Sequence, residues 1–225
     1  MHCFCRRIAL AAVVAIAGLA AAPPSQAQKE FPPPQGKGRV VVVASGASGA
    51  SHYEAVTEAI AKLGYDAVLF DGNDMKGTHG AAVRASIEKA QQSPHALPGK
   101  VALVGFSLGG GEDLFFGTLM PDSVAVVIAW YPLTSVLHDI PAFVGRLKVP
   151  VLMFAGEQDS YKGCCLIGTA RSIAAAASGH NPPLELVTYP GAEHDFVYGG
   201  NHYNPQAYND AFQRTAAKLK EFLGQ

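Results

Sequence analysis

One serine of this sequence stands in a setting that suits nucleophilic chemistry. Ser107 is the centre of Gly105-Phe106-Ser107-Leu108-Gly109, between a strand-like apolar run and a helical pattern. In a GxSxG turn the flanking glycines allow a tight reversal that exposes the serine hydroxyl at the end of a strand. The pattern indicates a nucleophilic serine. The competing interpretation is a glycine-rich turn between strand and helix that does no chemistry.

A serine hydroxyl needs two partners before it attacks a carbonyl carbon. A histidine must accept its proton, and a carboxylate must hold that histidine in the correct tautomer. Asp159 follows the apolar run Val149–Ala155, and His194 follows the apolar run Leu184–Tyr189. The order serine, aspartate, histidine is the one used by α/β enzymes with a GxSxG turn. We therefore predict Ser107 as nucleophile, His194 as base and Asp159 as the residue that orients the base.

Other acidic and imidazole side chains compete for these roles. Glu157 and Asp195 lie near the predicted site and are interpreted as solvated loop charges. The other histidines of the folded part lie in loops or after earlier strands: His52, His79, His95, His138, His180 and His202. Their spacing relative to acids and cysteines does not match known metal sites, so we expect neither a metal nor another cofactor.

Acyl transfer also requires hydrogen-bond donors for the negative oxygen of the tetrahedral intermediate. One expected donor is the backbone N–H of Leu108, directly after the nucleophile. The second is expected from the loop after Val40–Ala44, where Ala47 is favoured over Gly46. A phosphate-binding loop is the rival interpretation of this glycine-rich segment. The segment lacks the GxGxxG spacing and a Walker lysine, which disfavours a nucleotide.

Large side chains near the predicted nucleophile leave two interpretations open. Phe106 and Leu108 flank the serine, and Trp130 and Tyr131 end another predicted strand. Phe106, Trp130 and Tyr131 are candidates for an apolar acyl pocket, and packing in the core is the equal alternative.

Short apolar runs alternate with helical patterns along the rest of the chain. The predicted strands are Val40–Ala44, Ala67–Phe70, Val101–Gly105, Val124–Ala129, Val149–Ala155 and Leu184–Tyr189. The predicted helices are His52–Leu63, His79–Gln92, Leu108–Leu119, Cys164–Ser178 and Pro205–Leu223. Valine-rich strands without polar alternation are typical of strands buried on both faces. The alternation predicts an α/β domain over residues 39–225, with three layers and a doubly wound, mostly parallel sheet.

The composition limits the classes of partner. The chain has 225 residues, a net charge of -1 and 49% hydrophobic residues, as expected for one folded domain. Lysines and arginines are scattered rather than clustered, so the sequence disfavours nucleic acid as a partner.

The N-terminal segment has the features of an export signal. Arg6 and Arg7 precede the apolar run Ile8–Ala22, and small residues end at Ala27. We predict a cleaved signal peptide over residues 1–27, a lead-in over residues 28–38 outside the core, and a periplasmic or secreted protein. The apolar run is shorter than the roughly 20 residues of a membrane span, so no membrane association is expected after cleavage.

The only cysteines after the signal are neighbours. Cys164 and Cys165 could form a disulfide in an oxidising compartment or serve as small packing residues, and a catalytic thiol is less favoured.

Taken together, three segments resemble the dienelactone hydrolase family of the α/β-hydrolase superfamily: Gly105–Gly110, Gly156–Asp159 and Gly191–Phe196. The resemblance implies a compact hydrolase without a cap domain that acts on a small-molecule ester. The short span Tyr131–Lys148 agrees with this, since it has no room for a helical lid.

The sequence departs from the family pattern at three points. Ser107 stands where dienelactone hydrolases proper have cysteine, which resembles the serine esterases of the family. The glutamate that often follows the first core strand is missing, because Ser45-Gly46-Ala47 stands there. No arginine follows His194 closely, so a lactone bearing a carboxylate is disfavoured.

The sequence therefore predicts hydrolysis of carboxylic ester bonds, lactones included, through an acyl-enzyme. Two alternatives use the same fold: acyl transfer to an alcohol or amine, and a binding module without catalytic activity.

Overall fold

A computed structural model describes residues 29–224, which form one sheet with helices on both faces. The strands are β1 (Lys29–Phe31), β2 (Gly38–Ala44), β3 (Asp66–Phe70), β4 (Ala96–Phe106), β5 (Val124–Trp130), β6 (Val151–Gly156) and β7 (Leu184–Tyr189). The helices are α1 (Glu54–Lys62), α2 (Ala81–Ala90), α3 (Ser107–Phe115), α4 (Ile140–Val144), α5 (Ile167–Ala176) and α6 (Pro205–Leu223). The predicted signal segment, residues 1–27, lies outside the described residues.

The seven strands lie in the order β1-β3-β2-β4-β5-β6-β7. All neighbours are parallel except β1, which runs antiparallel to β3. Parallel strands require crossover connections that place helices on the sheet faces, so both faces are buried. The predicted three-layer α/β fold is confirmed.

Alternate side chains of each strand enter two different cores, because successive residues of a strand point to opposite faces. On β2, Val41 and Val43 pack with residues of α1 and α6. On the other face, Val40 and Val42 pack with residues of α2, α4 and α5. The carboxyl ends of the parallel strands share one edge of the sheet, where ligands bind in open α/β folds.

The lead-in contributes to the sheet, which the sequence analysis did not anticipate. Residues 29–31 form the edge strand β1, and the side chain of Phe31 packs partly buried against the core. A strand of only three residues beside a run of prolines has no recognisable pattern in the sequence.

Several boundaries also differ from prediction. The predicted first helix begins with a 3-10 turn, Ala50–Tyr53, before α1, and α5 begins at Ile167 rather than at Cys164. β4 begins five residues earlier than its apolar run. These differences lie at element ends, where local patterns are least informative.

Little structure covers the carboxyl edge of the sheet between β5 and β6. Helix α4 has five residues, and no other helix occurs in this connection. Within residues 29–224, this connection has no helical lid, in line with the short span Tyr131–Lys148. Over residues 29–224, every helix is too short or too polar to cross a membrane.

Candidate active site

Ser107 lies at the junction of β4 and α3 with a strained backbone. Its φ is +49°, a conformation that non-glycine residues rarely adopt. A Cβ at Gly105 would lie 2.6 Å from the Cα of Gly110, and a Cβ at Gly109 would lie 2.5 Å from the carbonyl oxygen of Ser45. Both positions therefore accept only glycine, and the turn lifts the serine side chain out of the end of the sheet.

The three side chains predicted for catalysis form one chain of hydrogen bonds. His194 Nε2 lies 2.9 Å from Ser107 Oγ, and His194 Nδ1 lies 2.7 Å from Asp159 Oδ2. All three residues are buried, with at most 7% of each residue exposed. The structure thus brings together side chains that are 35 and 87 residues apart in the sequence.

Asp159 is fixed by a second contact. Its other carboxylate oxygen, Oδ1, accepts a hydrogen bond of 3.1 Å from the backbone N–H of Tyr161. Because both oxygens are engaged, the carboxylate can hold one orientation toward the imidazole of His194. Hydrogen bonds to a carboxylate are stronger than those between neutral groups.

Two tyrosine rings frame the imidazole of His194. The ring of Tyr161 stacks on it with centroids 4.6 Å apart and planes 4° apart. The ring of Tyr131 meets it edge-on at 4.9 Å. Tyr161 was not identified from the sequence, since a tyrosine two residues after a loop aspartate carries no pattern of its own.

A cavity of about 50 Å³ opens beside Ser107. It is lined by Ala47, Ser48, Tyr53, Ser107, Tyr161, His194, Asp195, Asn201 and His202. Eight of these nine residues carry a polar side chain, and none of them is lysine or arginine.

The predicted acyl pocket of Phe106, Trp130 and Tyr131 does not line this cavity. Phe106 and Trp130 have no exposed surface, lie opposite each other on β4 and β5, and pack ring to ring at 5.5 Å. Their register directs both side chains into the core that includes α1 and α6. The structure therefore agrees with core packing for these two residues, the alternative left open by the sequence.

Tyr131 is also buried, with 1% of the residue exposed. Its ring packs edge-on against the imidazole of His194, and its hydroxyl lies 3.3 Å from Asp195 Oδ1. It contacts the imidazole rather than the cavity, which corrects its assignment to the substrate pocket.

The predicted oxyanion donors lie around the same point. Leu108 is in the first turn of α3, where a backbone N–H has no acceptor inside the helix. Ala47 lines the cavity together with Ser107. The backbone of Gly46 lies against the hydroxyl of Tyr53. This arrangement favours Leu108 and Ala47 over Gly46 as direct donors.

Asp195 is not the solvated loop charge that the sequence suggested. It is 4% exposed, and its carboxylate contacts His52 Nε2 at 2.9 Å. The backbone and side-chain N–H groups of Asn201 donate to the same oxygen at 2.9 and 3.2 Å. Its φ of +61° suits aspartate, which tolerates this conformation better than most residues. Asp195 therefore holds the loop that carries the cavity residues Asn201 and His202.

Cys164 and Cys165 form a disulfide next to this site. The carbonyl oxygen of Cys164 accepts hydrogen bonds of 2.9 Å from the backbone N–H groups of Thr134 and Ser135. The two sulfurs and a nitrogen of His194 lie within 4.8 Å of one another. Metals bind thiolates, so the disulfide form does not offer this cluster as a metal site.

Comparisons with known proteins identify the family of this chain. Residues 72–223 match the family model described as the dienelactone hydrolase family. Protein usf from Aquifex pyrophilus is 26% identical over 145 residues, which cover 64% of this chain and 60% of that protein. The matched stretch is thus less than two thirds of that relative.

Solved structures resemble the chain over most of its length. A provisionally assigned dienelactone hydrolase from Klebsiella pneumoniae has a TM-score of 0.72 at 20% identity and covers 90% of this chain and 95% of its own. An esterase from Pyrococcus furiosus has a TM-score of 0.67 at 16% identity and covers 84% of this chain and 85% of its own. At these identities the structural likeness establishes the fold alone.

Proposed function

This chain belongs to the dienelactone hydrolase family, and we propose that it is a serine esterase that cleaves carboxylic ester bonds through an acyl-enzyme. One observation carries the proposal. Ser107 Oγ donates to His194 Nε2 at 2.9 Å, and His194 Nδ1 donates to Asp159 Oδ2 at 2.7 Å, so the two hydrogen bonds form one continuous chain. This is the arrangement that removes a proton from a serine hydroxyl during attack.

In the acylation step, Ser107 Oγ bonds to the ester carbonyl carbon while its proton moves to His194 Nε2. The carbonyl oxygen becomes negative and accepts hydrogen bonds from the N–H groups of Leu108 and Ala47. His194 then gives the proton to the departing alcohol, which leaves an acyl group on Ser107. Oxyanion donors of this kind contribute roughly 3 to 4 kcal/mol each to lowering the barrier.

In the deacylation step, a water molecule replaces the alcohol. His194 accepts one proton of the water as the water oxygen bonds to the acyl carbon. It then gives this proton to Ser107 Oγ as the bond between Oγ and the acyl carbon breaks and the carboxylic acid leaves. Asp159 stays ionised throughout and stabilises the positively charged imidazole.

The cavity favours small, uncharged acyl groups. The cavity is small, at about 50 Å³, and Asp195 places a carboxylate in its wall. Because no lysine or arginine lines it, an anionic substrate would find no opposite charge there. We therefore expect faster cleavage of neutral short-chain esters than of lactones that carry a carboxylate.

We also propose that the protein is exported and that residues 1–27 are removed. The Cys164–Cys165 disulfide supports an oxidising compartment. Cell fractionation with mass spectrometry of the mature N-terminus tests this, and a cytosolic protein that retains residues 1–27 would contradict it.

Hydrolysis of p-nitrophenyl acetate tests the catalytic proposal. Ser107→Ala should lower kcat by a factor of about 10⁴ or more, because no other group replaces the nucleophile. Ser48→Ala is the matched control, since Ser48 lines the same cavity and should be dispensable for proton transfer. Equal turnover by the wild type and Ser107→Ala would overturn the proposal. A product mixture that shifts when an alcohol is added would indicate acyl transfer instead of hydrolysis.

A further inference from the structure

Tyr53 lies closer to the nucleophile than its sequence position suggests. It ends the 3-10 turn Ala50–Tyr53, directly after the loop that contains Ala47, and it lines the cavity beside Ser107. A Cβ added at Gly46 would overlap with the Tyr53 hydroxyl and would lie 3.2 Å from Ser107 Cβ. The phenol oxygen of Tyr53 and the Cβ atom of Ser107 therefore both lie next to Gly46.

The ring of Tyr53 is held in place by packing. It stacks on Phe106 with centroids 4.8 Å apart, and the residue is 2% exposed. A ring that is fixed in the core can present its hydroxyl at one point without losing side-chain freedom during the reaction.

Two polar groups lie beside the phenol oxygen of Tyr53. They are the backbone of Gly46 and the hydroxyl of Tyr131. Tyr131 also lies 3.3 Å from Asp195, so its single proton can be donated to either group. The contacts of Asp195 with Asn201 and His52 are made by its other oxygen, Oδ2. When Tyr131 donates to Tyr53 instead of to Asp195 Oδ1, the proton of Tyr53 is left for another acceptor.

Tyr53 remains protonated over the working range of an esterase. Burial, followed by the negative charge of Asp195, raises the pKa of Tyr53 well above its usual value. A phenol that does not ionise can serve only as a hydrogen-bond donor to an anion.

We propose that Tyr53 is a third oxyanion donor, whose hydroxyl binds the negative oxygen formed when Ser107 attacks the ester. The inference rests on the proposed esterase function. It adds a side-chain donor to the backbone donors Leu108 and Ala47. The proton of Tyr131 then turns to Tyr53 as negative charge develops, because hydrogen bonds in a chain strengthen one another.

Tyr53→Phe tests the proposal, since it keeps the ring that stacks on Phe106 and removes only the hydroxyl. We expect kcat for a p-nitrophenyl ester to fall about tenfold to a hundredfold with little change in KM. Tyr65→Phe is the matched control, because Tyr65 is equally buried in the same core but lies outside the cavity. That variant should retain wild-type activity.

A thionoester substrate separates a catalytic role from a structural one. Its thiocarbonyl sulfur is a weaker hydrogen-bond acceptor than oxygen, so an enzyme with an oxyanion site prefers the oxygen ester. If Tyr53 donates to the oxyanion, Tyr53→Phe should reduce this preference by about the factor lost in kcat. Equal losses on both substrates, or no loss on either, would overturn the proposal.

A second variant keeps the proposal testable if the first one misfolds. If Tyr53→Phe fails to fold, Tyr131→Phe is tested in its place. Its loss of kcat should be smaller than the loss expected for Tyr53→Phe, and it should prefer the oxygen ester less strongly than the wild type does. A preference equal to that of the wild type would overturn the proposal. Ser107→Ala is assayed in parallel on both substrates. Full turnover by Ser107→Ala would reject the esterase mechanism itself, whereas an inactive Ser107→Ala with an unaltered preference in Tyr53→Phe would reject only the role of Tyr53.

Discussion

Two histidine–aspartate pairs meet around one cavity, and they differ in what lies beyond the imidazole. In the first, His194 contacts Asp159 at 2.7 Å; in the second, His52 contacts Asp195 at 2.9 Å. Both aspartates are 4% exposed. By residue type, distance and burial of the acid, the pairs are nearly equivalent.

Their surroundings give the pairs different tasks. The second ring nitrogen of His194 contacts Ser107 Oγ, so proton movement at that imidazole can activate a nucleophile. The carboxylate of Asp195 is engaged by Tyr131 and Asn201 as well as by His52, so it ties together three segments of the fold. The difference teaches that a histidine–aspartate pair acts as a base in catalysis only where a hydroxyl group lies within hydrogen-bond distance of the second imidazole nitrogen.

The largest expected effect comes from removing each histidine in turn. His194→Ala should lower kcat by about 10⁴-fold or more, because Ser107 loses its proton acceptor. His52→Ala should lower kcat by less than about tenfold, since that imidazole acts through a loop. Steady-state kinetics with a p-nitrophenyl ester measures both, and comparable losses in the two variants would break the comparison.

Replacing the two aspartates should likewise affect kcat much more at Asp159 than at Asp195. Asp159→Asn should reduce kcat by about 10⁴-fold while leaving stability almost unchanged, because the amide favours the wrong imidazole tautomer. Asp195→Asn should instead reduce the free energy of unfolding by about 1 to 3 kcal/mol, because it weakens several buried hydrogen bonds. Kinetics and urea unfolding on both variants decide this. A stable but inactive Asp195→Asn would assign that pair to catalysis.

A third buried carboxylate has no histidine partner. Asp113 is fully buried behind the Ser107 turn, and no hydrogen bond to either of its oxygens occurs within residues 29–224. Burial, and secondarily the charge of Glu112, raises the pKa of Asp113 well above its usual range. The unfolded chain therefore releases this proton at lower pH than the folded chain, so stability falls as the pH rises above the unfolded pKa.

Asp113→Asn should remove this cost and raise the free energy of unfolding by about 1 to 3 kcal/mol near pH 8, with a smaller gain near pH 5. Urea unfolding at the two pH values measures the gain. The exposed Asp122→Asn is the control and should show no such pH-dependent gain. A gain of equal size at both pH values would contradict the ionisation argument.

The smallest expected effect concerns the ring that covers His194. Tyr161→Ala should lower kcat about two- to tenfold, because an aromatic stack contributes roughly 0.5 to 1.5 kcal/mol. Tyr203→Ala is the control, since Tyr203 is similarly exposed but does not line the cavity. Identical kinetics of Tyr161→Ala and the wild type would remove Tyr161 from the site.

The parallel sheet and the positions of Ser107, Asp159 and His194 follow from local signals. Valine-rich runs mark most of the strands buried on both faces, and each of the three residues lies in the turn or loop that follows a predicted strand. The carboxyl ends of parallel strands lie at one edge of the sheet. The order of the strands and helices along the chain was therefore enough to predict that these three residues lie near one another. The family membership predicted from the three segments is likewise confirmed.

The cavity could not be predicted in the same way. Its wall is made by side chains such as Tyr53, Tyr161 and Asn201, which lie on three different connections. Their roles depend on how the connections fold over the sheet edge, and that is a tertiary property. Phe106 and Trp130 were ambiguous because a residue beside the nucleophile can face either the cavity or the core, and strand register decides between them.

Covalent trapping tests the central claim most directly. A fluorophosphonate should modify the wild type at Ser107, with one adduct per chain located by peptide mass spectrometry, and His194→Ala should react far more slowly because Ser107 is no longer activated. The His52→Ala variant should react at nearly the wild-type rate. An adduct on another residue, or an undiminished adduct in Ser107→Ala, would contradict the account.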